Sequence, residues 1–297
     1  MEMQANQEKN RIVGGMLYLV ATPIGNLSDI SERAIKALRE VDFVAAEDTR
    51  NTGKLLSCLG IHQKLISYHE HNRRERGEEI LARLCGGESC ALVTDAGMPA
   101  ISDPGADLVK LCAERGLPVT VIPGCCAAVT ALALSGLDTA RFSFEGFLPV
   151  DNKERKKRLQ EIAGERRTMI FYEAPHKLVR TLQDLYTTFG ERKISLCREL
   201  TKINEEIMRT TLHGAVAYYT ENSPRGEYVL IVEGGEEAGA PAASAQAVPE
   251  SDLSPEERVA YYCEAQGISR MTAMKLVAKE MGISKSELYR MLLTETE

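Results

Sequence analysis

The chain has 297 residues, of which 44% are hydrophobic and 27% are charged, and its formal net charge is −7. No apolar run approaches the ~18 residues that a membrane span needs, so the sequence excludes a membrane-spanning protein. The acidic balance disfavours indiscriminate nucleic-acid binding, although a local basic face can still bind RNA. A length prior of about 150 residues per domain favours two domains and a small appendage.

The eight cysteines contain no CxxC pair, and the N-terminal sequence MEMQANQEKNR lacks the apolar segment of a signal peptide. We therefore expect a reduced cytoplasmic protein rather than a disulfide scaffold. Neither the cysteine spacing nor any other cluster of ligand residues indicates a metal site, so no metal is expected.

Residues 16–124 alternate between short apolar runs and segments with helical periodicity, which predicts a largely parallel, doubly wound sheet. Strands are expected at residues 16–22, 43–46, 65–67, 90–93 and 118–122. Ser28 or Asp29 is available to cap the first helix, and the second helix is expected over residues 54–59. Four strand ends deliver polar or Gly/Pro-rich loops to one edge of this sheet, where ligands bind in such folds.

The loop after the fourth strand, VTDAGMPAISDPG, is expected to organise the site. Gly97 and Gly105 let the backbone adopt positive φ or approach a ligand, and the prolines stiffen the path between them. Asp103 adds a short carboxylate, but it can equally be only the N-cap of the next helix. A purely structural strand-to-helix turn is the alternative.

Residues 125–235 read as a second α/β unit, with strands expected near residues 142–146, 168–172, 194–197, 207–211 and 228–232. Its later strands are close enough in sequence to include antiparallel pairs. The segment DNKERKKR, residues 151–158, carries five basic side chains. It is either an RNA-contacting segment or the solvated face of a helix.

The expected organisation is α/β, with two α/β domains and a small C-terminal helical module. Residues 1–15 form a flexible tail, 16–124 and 125–235 the two domains, 236–252 a Gly/Ala/Ser/Pro-rich linker and 253–297 the module. Helices are expected at residues 255–265, 271–281 and 288–293. Gly282 divides the last two in a helix-turn-helix outline, so a nucleic-acid-binding regulator module is one further hypothesis.

Eight motifs in order carry a family resemblance: LYLVATPIGNLSDI, AAEDTRNTGKLL, ISYHEHN, ALVTDAGMPAISDPG, FEGFLP, FYEAPH, RELTK and RGEYVLIVEG. Together they resemble the bacterial 16S ribosomal RNA cytidine 2′-O-ribose methyltransferases, which belong to the tetrapyrrole-methylase-like class. The resemblance implies that S-adenosylmethionine binds in the cleft between the two α/β domains. It also implies a homodimer that acts on 16S rRNA within the small ribosomal subunit.

Carried onto this chain, the resemblance implies donor contacts at Pro23, Gly97, Met98, Pro99, Ser102, Cys126, Ala127, Glu173 and Leu200. Main-chain groups in these loops can hold the carboxylate and the adenine edge of the donor. The family more often has threonine where this chain has Met98, and Pro-Ser where it has Cys125 and Cys126. Main-chain contacts survive that change, whereas side-chain hydroxyl contacts do not.

A ribose 2′-hydroxyl is a poor nucleophile while it is protonated, so a general base or a polarising cation near it would help methyl transfer. Candidates at predicted strand ends are Glu47, His69, Glu70, Arg198 and Glu199. The alternative is that they form structural ion pairs or ordinary loop hydrogen bonds.

RNA contacts are expected at Arg50, Arg73, Arg74, Lys153, Lys156 and Lys157. Methylation of a small molecule such as a tetrapyrrole is the alternative function. The basic segments 73–76 and 153–158 favour RNA, because a macrocycle needs no peripheral cationic track.

Overall fold

The computed structural model describes residues 11–235, 254–266, 270, 273–274, 277–278, 281, 283 and 285–294. Its first sheet has the strand order β3-β2-β4-β1-β5, and all of its strand pairs are parallel. The strands are β1 (Leu17–Val20), β2 (Phe43–Ala46), β3 (Leu65–Ser67), β4 (Cys90–Val93) and β5 (Val119–Ile122). The predicted parallel sheet is confirmed.

Four helices cover the two faces of this sheet: α1 (Glu32–Glu40), α2 (Thr49–Cys58), α3 (Arg73–Cys85) and α4 (Ala106–Glu114). Successive side chains of a strand point to opposite faces. Tyr18 accordingly packs in the core formed with α1 and α2, and Leu17 in the core formed with α3 and α4. The sheet is therefore doubly wound, as the sequence predicts.

The helix caps differ from the prediction. Ser31, rather than Ser28 or Asp29, caps α1: its hydroxyl accepts a hydrogen bond from the Ala34 N–H at 3.1 Å. Asn26 caps a short 3₁₀ helix, Leu27–Asp29, and the two predicted capping residues, Ser28 and Asp29, lie within that helix. These caps satisfy backbone N–H groups that have no partner within a helix.

One further helix begins earlier than predicted, and one of the two alternatives for Asp103 is excluded. Helix α2 begins at Thr49 rather than at Lys54, because Asp48 accepts a hydrogen bond from the Arg50 N–H at 2.8 Å. Asp103 is not the cap of α4, whose N-cap is Gly105 with φ of 138°. The Asp103 carboxylate is therefore available for another role.

The second sheet has the order β6-β7-β10-β8-β9, with β6 and β7 parallel and the remaining neighbours antiparallel. The expected antiparallel pairs are present. Its strands are β6 (Phe142–Gly146), β7 (Thr168–Glu173), β8 (Lys193–Arg198), β9 (Glu206–Thr211) and β10 (Tyr228–Val232). Helix α5 (Ala127–Ser135) packs on one face; α6 (Asn152–Ile162), α7 (Pro175–Phe189) and α8 (Leu212–Glu221) pack on the other.

Described residues up to 235 form one compact unit, and those from 254 onward form a second. The second unit contains α9 (Pro255–Gln266) and α10 (Lys285–Thr294), with Val259, Val277 and Leu288 in its core. The predicted linker, Gly282 and most of the helix expected at 271–281 lie outside the described residues. The domain boundaries stay a prediction. Among the described residues, no helix is long and apolar enough to cross a membrane.

Candidate active site

A cavity of about 260 Å³ lies between loops of the two sheets in the larger unit. The loop after β1 and residues 96–103 contribute one wall. The other wall comes from the start of α5, the ends of β7 and β8, and the start of β10. The lining residues are Ile24, Ala96, Gly97, Met98, Ile101, Ser102, Asp103, Cys126, Ala127, Phe147, Tyr172, Glu173, Ala174, Cys197, Glu199, Leu200, Lys202, Glu227, Tyr228 and Val229.

The loop after β4 carries backbone strain where it meets the cavity. Ala100 and Ser102 adopt φ of 68° and 65°, and Gly97 has φ of 85°. Two backbone hydrogen bonds fix the loop, because the Thr22 N–H donates to Gly97 O at 2.9 Å and the Gly97 N–H donates to Thr22 O at 3.1 Å. Non-glycine residues at positive φ persist only where their surroundings enforce them, and they cluster at functional sites.

Asp103 brings a half-buried carboxylate to this wall of the cavity. Burial, together with the negative charges of Glu47 and Asp95, raises its pKa to about 6. Within the described part of the chain, no hydrogen bond or ion pair joins this carboxylate to another residue. Sequence reasoning noticed Asp103 only as a loop carboxylate or a cap, and it left Asp103 out of the catalytic candidates.

Glu47 and His69 lie just after the ends of β2 and β3. Burial raises the pKa of Glu47, and its Oε2 accepts a hydrogen bond of 3.4 Å from the Asp95 N–H. The ring atom Nδ1 of His69 is buried and has no hydrogen-bond partner among the described residues. Neither residue lines the cavity, and neither does the exposed Glu70.

Arg198 and Glu199, on the opposite side, are held by charged partners. Arg198 forms an ion pair with Glu206 at 2.7 Å. The Glu199 Oε1 accepts hydrogen bonds from the Glu227 N–H at 3.0 Å and from Lys202 Nζ at 2.9 Å. These contacts lower the pKa of Glu199, with the backbone N–H of Glu227 as the largest cause. These ion pairs and hydrogen bonds fit the structural alternative, and a catalytic role for either residue stays a prediction.

All of the predicted donor-binding residues except Pro23 and Pro99 line the cavity. The Glu173 carboxylate already has partners within the protein: it accepts hydrogen bonds from the Ala174 N–H and the Thr181 hydroxyl. Its assignment as a donor contact stays a prediction, as do the others.

The walls of the cavity suit S-adenosylmethionine chemically. The start of α5, at Cys126 and Ala127, opens onto it, and a helix N-terminus favours a carboxylate. The apolar lining suits the adenosine part. A Cβ built on Gly97 would meet Ile24 Cγ2 at 3.3 Å and Cys125 O at 3.6 Å, and the residue has φ of 85°, so a side chain there would be strained and would crowd this wall.

The predicted RNA-contacting residues are exposed, but some of them form ion pairs with carboxylates of the protein. Arg50 forms an ion pair with Asp48 at 2.7 Å, and Arg73 lies 3.9 Å from Asp107. Arg74, Lys153 and Lys156 are also exposed. Lys157 lies 3.9 Å from Glu161.

Two of the five basic side chains of residues 151–158 form hydrogen bonds and ion pairs within the protein. Arg155 is 5% exposed, and it donates hydrogen bonds to Asp184 at 2.7 Å and Thr181 at 2.8 Å. Arg158 forms ion pairs with Glu145 and Glu161. The cationic surface that the sequence suggested is therefore reduced to the three lysines.

The family model described as Tetrapyrrole (Corrin/Porphyrin) Methylases matches residues 16–215. Two solved structures share the fold. A uroporphyrin-III-C-methyltransferase from Thermus thermophilus covers 73% of this chain and 94% of its own, with a TM-score of 0.53 and 19% identity. A cobalt precorrin-4 methyltransferase covers 74% and 95%, with a TM-score of 0.55 and 17% identity. The chain belongs to the tetrapyrrole methylase family.

Within that family, the similar proteins named ribosomal RNA small subunit methyltransferase I match almost the whole chain. The protein from Synechocystis sp. is 48% identical over 94% of this chain and 98% of its own length. The one from Halalkalibacterium halodurans is 49% identical over 93% of each chain. The one from Escherichia coli O157:H7 is 43% identical over 90% of this chain and 96% of its own. The chain is a member of this group, which confirms the resemblance in its motifs.

Proposed function

We propose that this protein transfers a methyl group from S-adenosylmethionine to the ribose 2′-hydroxyl of a cytidine in 16S rRNA. The observation that carries the proposal is the 48% identity, over 94% of the chain, to a ribosomal RNA small subunit methyltransferase I. The cavity supports it, because its glycine wall and the helix N-terminus are suited to a small donor with a carboxylate. The ribose and the cytidine rest on the motif resemblance.

The residues have separate tasks in this mechanism. When bound, S-adenosylmethionine supplies an electrophilic methyl group attached to a sulfonium. Gly97 leaves space for the donor, and the start of α5 at Cys126 holds its carboxylate. Because one open cavity brings both substrates together, positioning supplies a large part of the rate enhancement.

Methylation of a tetrapyrrole is the second candidate, since two of the solved structures with this fold are named for porphyrin and precorrin methylation. Their identity to this chain is below 20%, so they support the fold alone. The exposed lysines of α6 favour RNA over a macrocycle.

The test is transfer of radiolabelled methyl groups from S-adenosylmethionine to purified small ribosomal subunits, free 16S rRNA and uroporphyrinogen. We expect label in 16S rRNA, and mapping of the modified nucleotide should give a 2′-O-methylcytidine. Comparison of intact subunits with free rRNA tells whether the assembled subunit is the substrate. Label in the macrocycle alone would contradict the proposal.

The RNA track that we infer consists of Lys153, Lys156 and Lys157 on α6. Replacing all three with Glu should weaken RNA methylation and reduce its salt dependence. The slope of the logarithm of RNA affinity against the logarithm of salt concentration should become less steep by about 0.7–0.9 for each phosphate that is no longer neutralised. Donor affinity should not change, because none of the three lines the cavity.

A control with the same change of charge replaces Lys36, Lys64 and Lys110 with Glu, on or beside other elements of the protein. This control should keep most of the activity and its salt slope. Equal losses in the two triple variants would indicate a general effect of net charge and would remove the track from α6.

The homodimer is also part of the proposal. Exposed apolar side chains at Phe147, Val150 and Ile203 are 57%, 73% and 99% accessible in the single chain. Large apolar side chains that are exposed in the single chain become buried where two copies pair through them. Light scattering of the purified protein should give twice the chain mass of 32.7 kDa. A monomer at micromolar concentration would contradict this part alone.

A further inference from the structure

We propose that Asp103 is the general base of this protein, which takes the proton of the acceptor hydroxyl as the methyl group is transferred. The inference rests on the proposed function and deepens it. Asp103 was not among the catalytic candidates from the sequence. Its position, its surroundings and the state of the other carboxylates of the cavity support the assignment.

The position of Asp103 is fixed by a strained backbone. Ser102 precedes it at φ of 65°, and Gly105 follows at φ of 138°. A Cβ on Gly105 would lie 2.7 Å from Leu92 Cδ2, so the backbone there packs directly on the end of β4. A loop held in this way keeps the carboxylate at the cavity wall, where an acceptor can reach it.

The groups that face Asp103 come from three elements. Glu47 follows β2 and Asp95 follows β4, and both carboxylates act on Asp103 as like charges. Tyr172 on β7 lies within electrostatic reach across the cavity, and burial raises the pKa of its phenol to about 12, so it remains neutral. Partial burial, together with these negative charges, raises the pKa of Asp103 to about 6. A base with such a pKa accepts a proton near neutral pH while still being ionised.

The other carboxylates at the cavity are less suitable. Glu199 is engaged with Lys202 and with the Glu227 N–H, and its pKa is lowered. Glu173 is 3% exposed and accepts hydrogen bonds from Thr181 and Ala174. Glu227 forms an ion pair with Lys202 at 2.9 Å. In the described part of the chain, Asp103 is the cavity carboxylate without such a partner.

The proposed step balances in atoms and charge. The hydroxyl proton passes to the Asp103 carboxylate as the ribose oxygen forms a bond to the methyl carbon. The carbon–sulfur bond breaks, and its electron pair stays on sulfur, so the sulfonium becomes a neutral thioether. The negative charge of Asp103 is neutralised by the proton, which is later released to water. Glu47 and Asp95 act as positioning residues, since they raise the proton affinity of Asp103 without touching the substrate.

The first test is Asp103→Asn in the full chain, assayed with labelled donor and small ribosomal subunits. We expect turnover to fall at least about 100-fold, because general-base contributions are typically of that size or larger. Donor affinity by calorimetry should remain similar. The exposed Asp29, in the 3₁₀ helix that follows β1, supplies the control Asp29→Asn, which should keep normal turnover.

The melting temperature distinguishes a general base from a carboxylate that stabilises the fold. The pKa of Asp103 is raised in the folded protein, so protonated Asp103 favours the fold at acid pH. That contribution is lost as the pH rises through about 6. At neutral pH, Asp103→Asn should therefore melt at a higher temperature than the wild type while being less active. The variant Asp103→Ser provides the same comparison if the asparagine protein folds poorly.

The pH dependence gives a third readout. Activity should decrease on acidification with a midpoint near 6, and ¹³C NMR of the carboxyl groups should show an aspartate that titrates there without RNA. Glu47→Gln removes a like charge, so both midpoints should shift to lower pH.

The outcomes separate the inference from the function on which it rests. If the wild type labels no RNA, the proposed function fails and the base assignment fails with it. If the wild type is active but Asp103→Asn keeps its turnover and pH profile, the base assignment alone is overturned. Loss of donor binding, or a lower melting temperature at neutral pH in both Asp103 variants, would instead identify a donor-binding or structural residue and would also overturn it.

Discussion

The two sheets contribute carboxylates to one cavity in opposite electrostatic settings. Asp103 comes from the loop after β4, and burial, together with the like charges of Glu47 and Asp95, raises its pKa. Glu199, from the end of β8, is bound by Lys202 and by a backbone N–H, and its pKa is lowered. The first carboxylate can accept a proton near neutral pH, whereas the second is held ionised.

Backbone strain does not distinguish the two walls. Ala100 and Ser102 adopt positive φ on the first wall, and Glu199 and Thr201 do so on the second, at 51° and 66°. Strain alone therefore indicates that both loops are fixed, but it does not indicate which of them performs chemistry. The pairing of charges makes that distinction.

The largest effect is expected for Gly97→Val on the first wall. A branched side chain would enter space next to Ile24 and Cys125, and it would have to adopt φ of 85°. Calorimetry should detect no binding of S-adenosylmethionine. The control Gly116→Val carries a similar backbone penalty at φ of 66°, but its Cβ meets nothing within 4 Å, so donor binding should persist. Unchanged affinity in Gly97→Val would remove this loop from the site.

The network behind the second wall should matter for folding. Arg155→Leu removes hydrogen bonds to Asp184 and Thr181, and Thr181 in turn donates to the buried Glu173. We expect a loss of about 2 kcal/mol in the free energy of unfolding, since a charged group loses partners in a buried setting. Chemical denaturation measures the loss. The neighbouring exposed Lys156→Leu should change stability by less than about 0.5 kcal/mol, and equal losses would mean that Arg155 is an ordinary surface residue.

A smaller effect is expected for Lys202→Met, which breaks the charge pairing of the second wall. Both carboxylate partners are accessible to solvent, so screening limits the loss to about 1 kcal/mol at pH 7. The pKa of Glu199 is lowered in the folded protein. Its contribution to the free energy of unfolding is therefore present above its ordinary pKa of 4.5 and is lost as the pH falls through the lowered value. The difference between variant and wild type should therefore shrink in acid, which a denaturation series over pH measures. A constant difference would assign it to packing of the lysine stem.

The sequence predicts the strands well because their signal is local. Apolar runs that end in turn residues correctly gave Phe43–Ala46, Leu65–Ser67, Phe142–Gly146 and Tyr228–Val232. Caps were predicted less well. Asn26, Ser28, Asp29 and Ser31 can all cap a helix in principle, and the path of the chain decides which does.

The chemistry of the cavity could not be predicted in the same way, because it depends on distant partners. The proton affinity of Asp103 depends on Glu47, which is far from it in sequence and approaches it only through the strand order of the sheet. Glu199 is a catalytic candidate by residue type and position, but its carboxylate accepts a hydrogen bond from the backbone N–H of Glu227, which directly precedes the strand that pairs with β8. The residue type and its position at a strand end predict where a carboxylate lies. They do not predict whether that carboxylate already forms a hydrogen bond or ion pair with another group.

The smallest effect is expected when the chain is ended after Gly235. The cavity residues extend only to Val229, and β10 ends at Val232. Two backbone hydrogen bonds beyond it, from Glu233 N–H to Lys193 O at 2.9 Å and from Gly235 N–H to Glu165 O at 2.7 Å, are kept in the shortened chain. Because both walls remain complete, the affinity for S-adenosylmethionine should stay within about twofold of the full chain, a change of less than about 0.5 kcal/mol. Calorimetry measures this affinity, and RNA methylation by the same protein reports separately what the C-terminal helices add. An insoluble product, or a tenfold loss of donor affinity, would show that the C-terminal residues support one of the two walls.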